Sequence, residues 1–190
     1  NITEDHFYFN NGGYRIKVLG NIVKQPILGE MVIFIEFSKD GDILLLDIGA
    51  EYGNYASDLT RTIPVNGKYS PRQREIYNAV LRVHKAAVQL LRPGTLLNDY
   101  HKEVGKLMEA ELLGLGLITQ TDIDNQNPEW PAYKKYFMHG TSHFLGLDVH
   151  DVGNWNIPIE EGMVFTCEPG IYIREENLGV RIENDVVVTS

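Results

Sequence analysis

A chain of 190 residues, 43% of them apolar, is long enough to bury the core of one domain. Its formal net charge of −9 argues against binding to nucleic acid or to an anionic membrane surface, because both attract clusters of Lys and Arg. One cysteine, Cys167, excludes an internal disulfide, and no apolar run approaches the roughly 20 residues of a membrane span. We therefore expect a soluble, cytoplasmic protein.

The first part of the chain gives weak structural signals. It begins with NITEDHFYF and has no basic segment followed by an apolar one, so we expect no signal peptide and a piece of a longer protein. Short apolar pieces alternate with turn residues over residues 1–36 and predict weak strands of unassigned order. After the turn signal SKDGD, the run ILLLDIG (43–49) predicts a buried strand, and YASDLTRTIPV (55–65) predicts the next one.

Two helices are predicted next. In SPRQREIYNAVLRVHKAAVQLLRPG (70–94), Ser70 is typical of an N-cap, Pro71 of a first helical position, and Gln73 of a capping box. The predicted buried face consists of Ile76, Tyr77, Val80, Ala87, Val88 and Leu91. His84 is therefore expected on the flank of the helix and not as a ligand.

The second helix is amphipathic and covers LLNDYHKEVGKLMEAELL (96–113), where we likewise expect His101 not to be a ligand. Its predicted inward residues are Leu97, Tyr100, Val104, Leu107 and Met108. Residues 119–136 form a long polar connection of the kind that is often functional. MVFTCEPGIYI (163–173) and GVRIENDVVV (179–188) predict two more strands.

Asp47 lies inside ILLLDIG, where an ionised carboxylate is costly unless a positive charge meets it. A two-residue turn at Tyr52-Gly53 places Asp58 directly across the hairpin from Asp47. A turn at Gly53-Asn54 instead places Thr60 there, with Asp58 diagonal to Asp47. Both registers put the two carboxylates on one face, because side chains alternate along a strand.

A bound cation is the natural way to neutralise these carboxylates, because Arg61 has the opposite parity to Asp58. Glu168 and Glu183 repeat the problem, each within a run of apolar or β-branched residues. Carboxylates with one or two imidazoles suit divalent metals such as Mn²⁺, and four carboxylates balance the charge of two such ions. The residues therefore predict a two-metal site that lowers the pKa of a bridging water.

The stretch FMHGTSHFLGLDVHDVG (137–153) holds three of the six histidines of the chain. His139 and His143 are four residues apart, which fits one helix face, but Gly140 and the sequence after it favour a strand or loop. A lone histidine is usually a hydrogen-bonded structural residue, whereas three histidines in a chain that needs a cation favour a site. The spacing leaves open which of His139, His143 and His150 binds metal.

In this chain LLDIGAEYGNYASDLTRTIPVNGKYSPRQREIYNAVL, FMHGTSHFLGLDVHDVG, EGMVFTCEPGIYI and GVRIENDVVV follow one another. With these motifs, most of residues 40–190 resembles the pita-bread metallopeptidases and, within them, the Xaa-Pro aminopeptidases. The resemblance implies an α+β fold with a curved antiparallel sheet, flanking helices and an incomplete first half. Residues 1–38 are then a poorly matched upstream segment, and residues 39–190 are the catalytic domain, the C-terminal part of a longer parent protein.

The resemblance also implies a ligand set for two divalent ions, expected to be Mn²⁺, with Zn²⁺ or Co²⁺ as alternatives. Asp47 would chelate one ion, and His143 and Glu168 would hold the other. Asp58 and Glu183 would bridge both ions. The family carries a further catalytic histidine shortly before the first aspartate, whereas this chain has no histidine between His6 and His84.

The catalytic roles follow from the same resemblance. His139 would contact substrate, and His150 would donate a hydrogen bond to the scissile carbonyl or the tetrahedral intermediate. Arg181 would hold the metal-binding carboxylates, Glu168 would accept a proton, and Tyr172 would lie near the site.

The implied reaction is attack by a hydroxide that bridges the two metals on the bond before a proline at the second position of a peptide. The family forms homodimers or homotetramers. VHD, where many proline dipeptidases carry VHE, favours the aminopeptidase over a proline dipeptidase. An inactive pita-bread binding module and a two-metal phosphoesterase are the remaining alternatives.

Overall fold

The computed structural model describes the backbone of residues 17–19, 25–27 and 30–32, and all of residues 39–189. Three of the weak strands expected in residues 1–36 are present in the described part. They are β1 (Lys17–Leu19), β2 (Gln25–Ile27) and β3 (Glu30–Val32). β2 pairs with β3, and β1 pairs with the strand that carries Asp47. The rest of that prediction lies outside the described residues.

A long hairpin follows, built from β4 (Ile43–Gly49), β5 (Glu51–Tyr52), β6 (Tyr55–Ala56) and β7 (Leu59–Pro64). Gly53 and Asn54 form its turn with φ angles of 58° and 70°, the left-handed values that a tight hairpin turn requires. Asp47 is therefore paired with Thr60, and Asp58 is diagonal to Asp47. The register with the turn at Tyr52-Gly53 is wrong.

The predicted strand 55–65 is interrupted at Ser57 and Asp58, so the prediction of one continuous strand is wrong. The Ser57 hydroxyl group binds the main chain of Ala50, and the Asp58 amide donates to the carboxylate of Asp185 instead of to the ladder. The Ser57 side chain and the Asp58 amide thus make contacts that a regular strand does not make. The interruption leaves the Asp58 carboxylate at the end of β7.

The first predicted helix is confirmed as α1 (Pro71–Leu90), with Ser70 and Gln73 forming both bonds of the capping box. Four of the residues predicted to face inward are buried, and Tyr77 and Val88 are partly buried. The prediction that His84 lies on the flank is wrong, because it is only 6% exposed. His84 follows the buried Val80 by one helical turn and therefore shares its face. Burial, with the nearby Arg61, lowers the pKa of His84.

The second predicted helix is α2 (Leu97–Gly114), and it packs against α1. Leu97, Tyr100, Val104 and Met108 are buried as predicted, and Leu107 is partly buried. The long connection after it contains α3 (Gln120–Asp124) and a 3-10 turn at Ala132–Lys135. Within the described residues, we find no helix that is long and apolar enough to cross a bilayer.

Each of the last two predicted strands is divided in two. The observed strands are β8 (Val164–Cys167), β9 (Gly170–Ile173), β10 (Leu178–Arg181) and β11 (Asn184–Val187). β8 pairs with β11 and β9 pairs with β10, so that they form one bent hairpin. The bend falls at Glu168 and Pro169 on one side, where Pro169 has no amide to donate, and at Ile182 and Glu183 on the other.

The core lies between α1 and this bent hairpin, since α1 contacts β8, β9 and β10. Phe165, Cys167, Ile171 and Val180 contribute fully buried side chains from the strands. The Cys167 thiol lies 3.8 Å from the Tyr100 hydroxyl group, and burial raises its pKa to about 12. Cys167 thus faces the helices, while its neighbour Glu168 leaves the strand in another direction.

Candidate metal centre

Five predicted ligands from separate segments of the chain converge at the bends of the two hairpins. The Glu168 amide donates to the carbonyl of Thr141 at 2.7 Å, and the Glu183 amide donates to the carbonyl of Thr60 at 3.1 Å. Three groups of side chains have ligand atoms within 4.8 Å of one another. The groups are Asp47 with Asp58 and Glu183, His143 with Glu168 and Glu183, and Asp58 with His143 and His150.

The His143 imidazole is oriented for a cation. Its Nδ1 lies 2.8 Å from the carbonyl oxygen of Phe144, which only accepts, so Nδ1 carries a proton and the neutral ring has its lone pair on Nε2. Nε2 is buried, has no hydrogen-bond partner among the described residues, and lies 3.6 Å from both Asp58 Oδ2 and Glu168 Oε1. Ligands about 2.0 to 2.2 Å from a shared ion lie roughly 3 to 3.6 Å apart. These three groups therefore fit one metal ion.

Glu183 presents a second unsatisfied atom. The Thr60 hydroxyl group donates to Glu183 Oε2 at 2.5 Å, and Arg181 Nε donates to the same hydroxyl oxygen at 2.9 Å. Because Arg181 can only donate, the Thr60 hydroxyl proton must point to Glu183. Glu183 Oε1 is buried and has no hydrogen-bond partner among residues 39–189. A buried carboxylate oxygen without a partner is costly, and a cation would satisfy it.

The carboxylates have shifted pKa values without a metal. Burial raises the pKa of Glu168 to about 7, and nearby carboxylates add to the shift. Burial likewise raises the pKa of Glu183 to about 8 and moves that of Asp47 upward. Burial also opposes the charged form of Asp58, but contacts with His143, Asp47 and Arg181 together lower the pKa of Asp58. Clustered carboxylates that retain protons near neutral pH indicate a site that lacks positive charge.

Arg181 lies behind the carboxylates, where it contacts both hairpins. Its Nη2 donates to Asp47 Oδ2 at 2.5 Å, and its Nη1 donates to the Tyr172 hydroxyl group at 3.1 Å. The side chain thus reaches Asp47 directly and Glu183 through Thr60. Arg61, as its parity predicts, turns away from Asp58 and donates to the main chain of Thr60 and Glu183.

His139 and His150 lie on the open side of the cluster. His139 Nε2 lies 2.7 Å from the Tyr172 hydroxyl group, and its Nδ1 lies 2.7 Å from the carbonyl oxygen of Gly140 and 3.7 Å from Glu168 Oε2. Burial lowers the pKa of His139 to about 4, so the ring is neutral. The exposed His150 ring packs edge-on against His143, with 4.3 Å between ring centres.

A cleft of about 590 Å³ opens beside the metal ligands, and its lining includes residues that sequence reasoning did not assign. The unassigned lining residues are Asn98, His101, Lys134, Ser142 and Trp155. His101 Nδ1 accepts the Thr141 amide at 3.2 Å, and its ring packs on Trp155. A signal for His101 was available, because it follows the buried Leu97 by one helical turn. The sequence offers no comparable signal for Lys134 or Trp155.

The antiparallel strands, flanking helices and clustered carboxylates are those of a pita-bread metallopeptidase. Residues 29–190 match the model of Metallopeptidase family M24, and the chain belongs to this family. The resemblance found in the sequence is thereby confirmed.

The chain is also similar to curated proteins named Xaa-Pro aminopeptidase. The chain is 41% identical over 204 residues to the Xaa-Pro aminopeptidase of Escherichia coli strain K12, which covers 98% of this chain and 45% of that protein. It is 45% identical over 163 residues to the Xaa-Pro aminopeptidase of Haemophilus influenzae, and this match covers 80% of this chain and 37% of that protein. The chain therefore spans less than half the length of these relatives.

Solved structures confirm the fold. Aminopeptidase P from E. coli with the inhibitor Pro-Leu has a TM-score of 0.72 and 44% sequence identity. The Zn-substituted E. coli aminopeptidase P in complex with product gives the same values. Each match covers 80% of this chain and 37% of the other.

Proposed function

We propose that the chain carries the metal-binding part of an Xaa-Pro aminopeptidase, which hydrolyses the bond between an N-terminal residue and a following proline. The observation that carries this proposal is the convergence of five ligand side chains around two buried, unsatisfied atoms, His143 Nε2 and Glu183 Oε1. The relatives named Xaa-Pro aminopeptidase support the substrate class. We further propose that the whole protein acts in the cytoplasm as a homodimer or homotetramer.

The donor set fits two divalent ions. We assign Asp47 to one ion, His143 and Glu168 to the other, and Asp58 and Glu183 to both. Oxygen ligands with one imidazole favour Mn²⁺, and Zn²⁺ and Co²⁺ are alternatives. The Zn-substituted E. coli enzyme supports Zn²⁺ among them. Two such ions supply a hydroxide near neutral pH and positive charge opposite a developing oxyanion.

The residues around the cluster would accept a proton, donate a hydrogen bond and orient the peptide. Glu168 would accept a proton, because its carboxylate lines the cleft and lies 3.6 Å from His143 Nε2. His150, which is exposed at the cleft, is placed to donate a hydrogen bond to the scissile carbonyl oxygen. Arg181 and Tyr172 fix the neutral His139 ring at the cleft wall, where it contacts the substrate.

Two alternatives are less well supported. A proline dipeptidase would use the same ligands, but the curated relatives and the VHD motif favour the aminopeptidase. A binding module without metal would leave the Glu183 and His143 atoms buried and unsatisfied at a cost to stability. The complex of the E. coli enzyme with Pro-Leu supports a cleft that accepts a proline-containing peptide.

The proposal is tested with the chain stripped of metal and then supplied with Mn²⁺. We expect calorimetry to detect two bound ions, and we expect release of the N-terminal amino acid from an Xaa-Pro-Yaa peptide only when Mn²⁺ is present. Two bound ions without release would assign catalysis to a longer protein, because the histidine expected before Asp47 is absent from this chain. Failure to bind any divalent ion by the folded chain would reject the metal centre itself.

A further inference from the structure

Lys134 lies in the wall of the cleft that contains the metal ligands. It belongs to the 3-10 turn at Ala132–Lys135, and its Nζ lies 3.4 Å from the carbonyl oxygen of His139. The ammonium group also lies 5.6 Å from the centre of the Tyr133 ring and 5.9 Å from that of Phe137. A carbonyl group and two aromatic faces therefore hold the charge at this wall.

No carboxylate balances this charge. Among residues 39–189, no Asp or Glu side chain lies within 4.0 Å of Lys134 Nζ, although the chain has a net charge of −9. Burial lowers the pKa of Lys134, and no neighbouring acid opposes that effect. The exposed Lys102 and Lys106 are, by contrast, paired with Asp99 and Glu103. A partly desolvated ammonium group without an anion is costly unless a ligand provides one.

The ammonium group is also close to the reacting centre. One residue, His139, separates it from Glu168, because His139 touches Lys134 through its carbonyl and Glu168 through its ring. A peptide extends by roughly 3.3 to 3.6 Å per residue, so a carboxylate one or two residues beyond a scissile bond lies within roughly 8 Å of it. Lys134 and Glu168 line one cleft, so a carboxylate at this distance from the scissile bond can reach the wall that contains Lys134.

We propose that Lys134 is a specificity-determining residue that binds a carboxylate of the peptide on the leaving side of the scissile bond. This inference rests on the proposed function. The carboxylate has two possible sources, the C-terminus of a short peptide and the side chain of an acidic residue after the proline. In the first case the cleft selects peptides that end soon after the proline, and in the second it selects sequences with Glu or Asp at that position.

The test compares the binding of three probes to the Mn²⁺-loaded chain by calorimetry: Pro-Leu, Pro-Leu-amide and Pro-Glu-amide. We expect Pro-Leu to bind roughly 10-fold or more tightly than its amide, because a hydrogen bond to a charged group contributes more than a neutral one. Lys134→Met should abolish this preference, and Lys134→Arg should retain it. Tighter binding of Pro-Glu-amide than of Pro-Leu-amide, again lost in Lys134→Met, would identify an acidic side chain as a ligand.

Lys135→Met is the matched control. It removes the same charge one residue away, but Lys135 Nζ lies over the Tyr136 ring and borders a separate pocket with Leu117 and Trp130. We therefore expect Lys135→Met to keep the preference for carboxylate probes. A loss in both variants would show a general effect of charge and overturn the role of Lys134.

Three further outcomes would overturn the inference: equal affinity of the wild-type chain for all three probes, an unchanged preference in Lys134→Met, and no binding of any probe. Cleavage of an Xaa-Pro-Yaa peptide is measured separately. A Lys134-dependent preference without cleavage leaves the carboxylate subsite standing and counts against the proposed function, so that the two failures are distinguishable.

Discussion

The two hairpins that carry the carboxylates position them in different ways. In the first, the β4–β7 ladder sets Asp47 opposite Thr60, and Asp58 lies directly before β7 with its amide bound to the Asp185 carboxylate. In the second, the ladder stops at both glutamates, whose amides bind Thr141 and Thr60 outside the hairpin. The Asp47 side chain is 31% exposed, whereas that of Glu183 is 2% exposed. Asp47 thus depends on local strand pairing, whereas Asp58 and both glutamates depend also on tertiary contacts.

This difference indicates where the centre is most sensitive. Substitution of a ligand on either hairpin should disrupt metal binding. Substitution of a residue that contacts a ligand should reduce metal affinity most when that ligand is Glu183. Thr60 and Arg181 act there as a hydrogen-bonded support for a buried carboxylate. Such outer contacts orient ligands and contribute to metal affinity.

The largest effect is expected from loss of a ligand. Asp47→Ala or His143→Ala should reduce metal-dependent peptide cleavage to background and weaken Mn²⁺ binding by more than the roughly 10- to 100-fold that an outer contact contributes. Calorimetric stoichiometry and release of the N-terminal amino acid provide the readouts. Asp99→Ala, which removes an exposed carboxylate on α2, is the control. Full turnover by either ligand variant would contradict the ligand assignment.

The next prediction concerns the Thr60 hydroxyl group, which lies on the first hairpin and donates to Glu183 on the second. Thr60→Val removes the donor to Glu183 without changing side-chain volume much, so we expect Mn²⁺ affinity to fall roughly 10- to 100-fold. The free energy of unfolding should fall by about 1 to 3 kcal/mol, because a buried carboxylate oxygen loses its partner. Calorimetry and urea unfolding measure the two quantities.

Two matched variants sharpen this prediction. Thr60→Ser keeps the hydroxyl group and should restore metal binding. Thr62→Val removes a hydroxyl group two residues along the same strand that binds the main chain of Arg181, so it should reduce stability and leave Mn²⁺ affinity nearly unchanged. Equal losses of affinity in Thr60→Val and Thr62→Val would refute a specific role for Thr60.

The third prediction concerns the pH dependence of metal-free stability and of Mn²⁺ affinity. Burial raises the pKa values of Glu168 and Glu183 to about 7 and 8, so above pH 4.5 these two groups bind more protons in the folded metal-free chain than in the unfolded chain. Their contribution to stability should therefore decrease as pH rises from about 4.5 to 8, while the lowered pKa values of His101 and His139 add stability as pH rises to about 6.5. Mn²⁺ affinity should increase over the same window, because the ligands must be ionised.

Urea unfolding with EDTA and with Mn²⁺, at pH 5.5 and pH 8, tests this prediction. Glu183→Gln removes one titrating group and should raise the metal-free stability at pH 8, relative to that at pH 5.5, by more than about 1 kcal/mol over wild type. The same difference between pH 5.5 and pH 8 in wild type and in Glu183→Gln would contradict the raised pKa of Glu183.

The smallest effect lies outside both hairpins. Ser70→Ala breaks the capping box of α1 and should lower the free energy of unfolding by about 0.5 to 2 kcal/mol. Mn²⁺ affinity should not change, because α1 supports the strands from the side opposite to the ligands. A tenfold loss of affinity in this variant would show that the helix and the metal centre are more closely coupled than the two hairpins suggest.

The sequence predicts the features that depend on local pattern. The capping box at Ser70, the inward face of α2 and the shared face of Asp47 and Asp58 follow from spacing alone. The bends at Glu168 and Glu183 do not, because the amides of these residues bind partners that are more than 25 residues away in the chain. Pro169 is a local signal for the first bend, whereas the run GVRIENDVVV gives no such signal for the second.

The candidate site shows the same division. Carboxylates in apolar runs are conspicuous in a sequence, because an uncompensated buried charge requires an explanation. The cleft wall is not conspicuous, since Lys134 is an ordinary polar residue of a long connection until the fold places it beside His139. The prediction that His84 lies on the helix flank is wrong for a related reason. A polar residue on an apolar helix face is buried when the turns before and after it are packed against the core.

Cys167 gives this centre an internal reporter. The one thiol of the chain is fully buried in β8, directly before Glu168, and its raised pKa makes it unreactive in the closed fold. A thiol reagent can therefore reach it only when β8 opens. The rate of labelling would report the opening of β8 at one position next to a ligand, without any need for substrate.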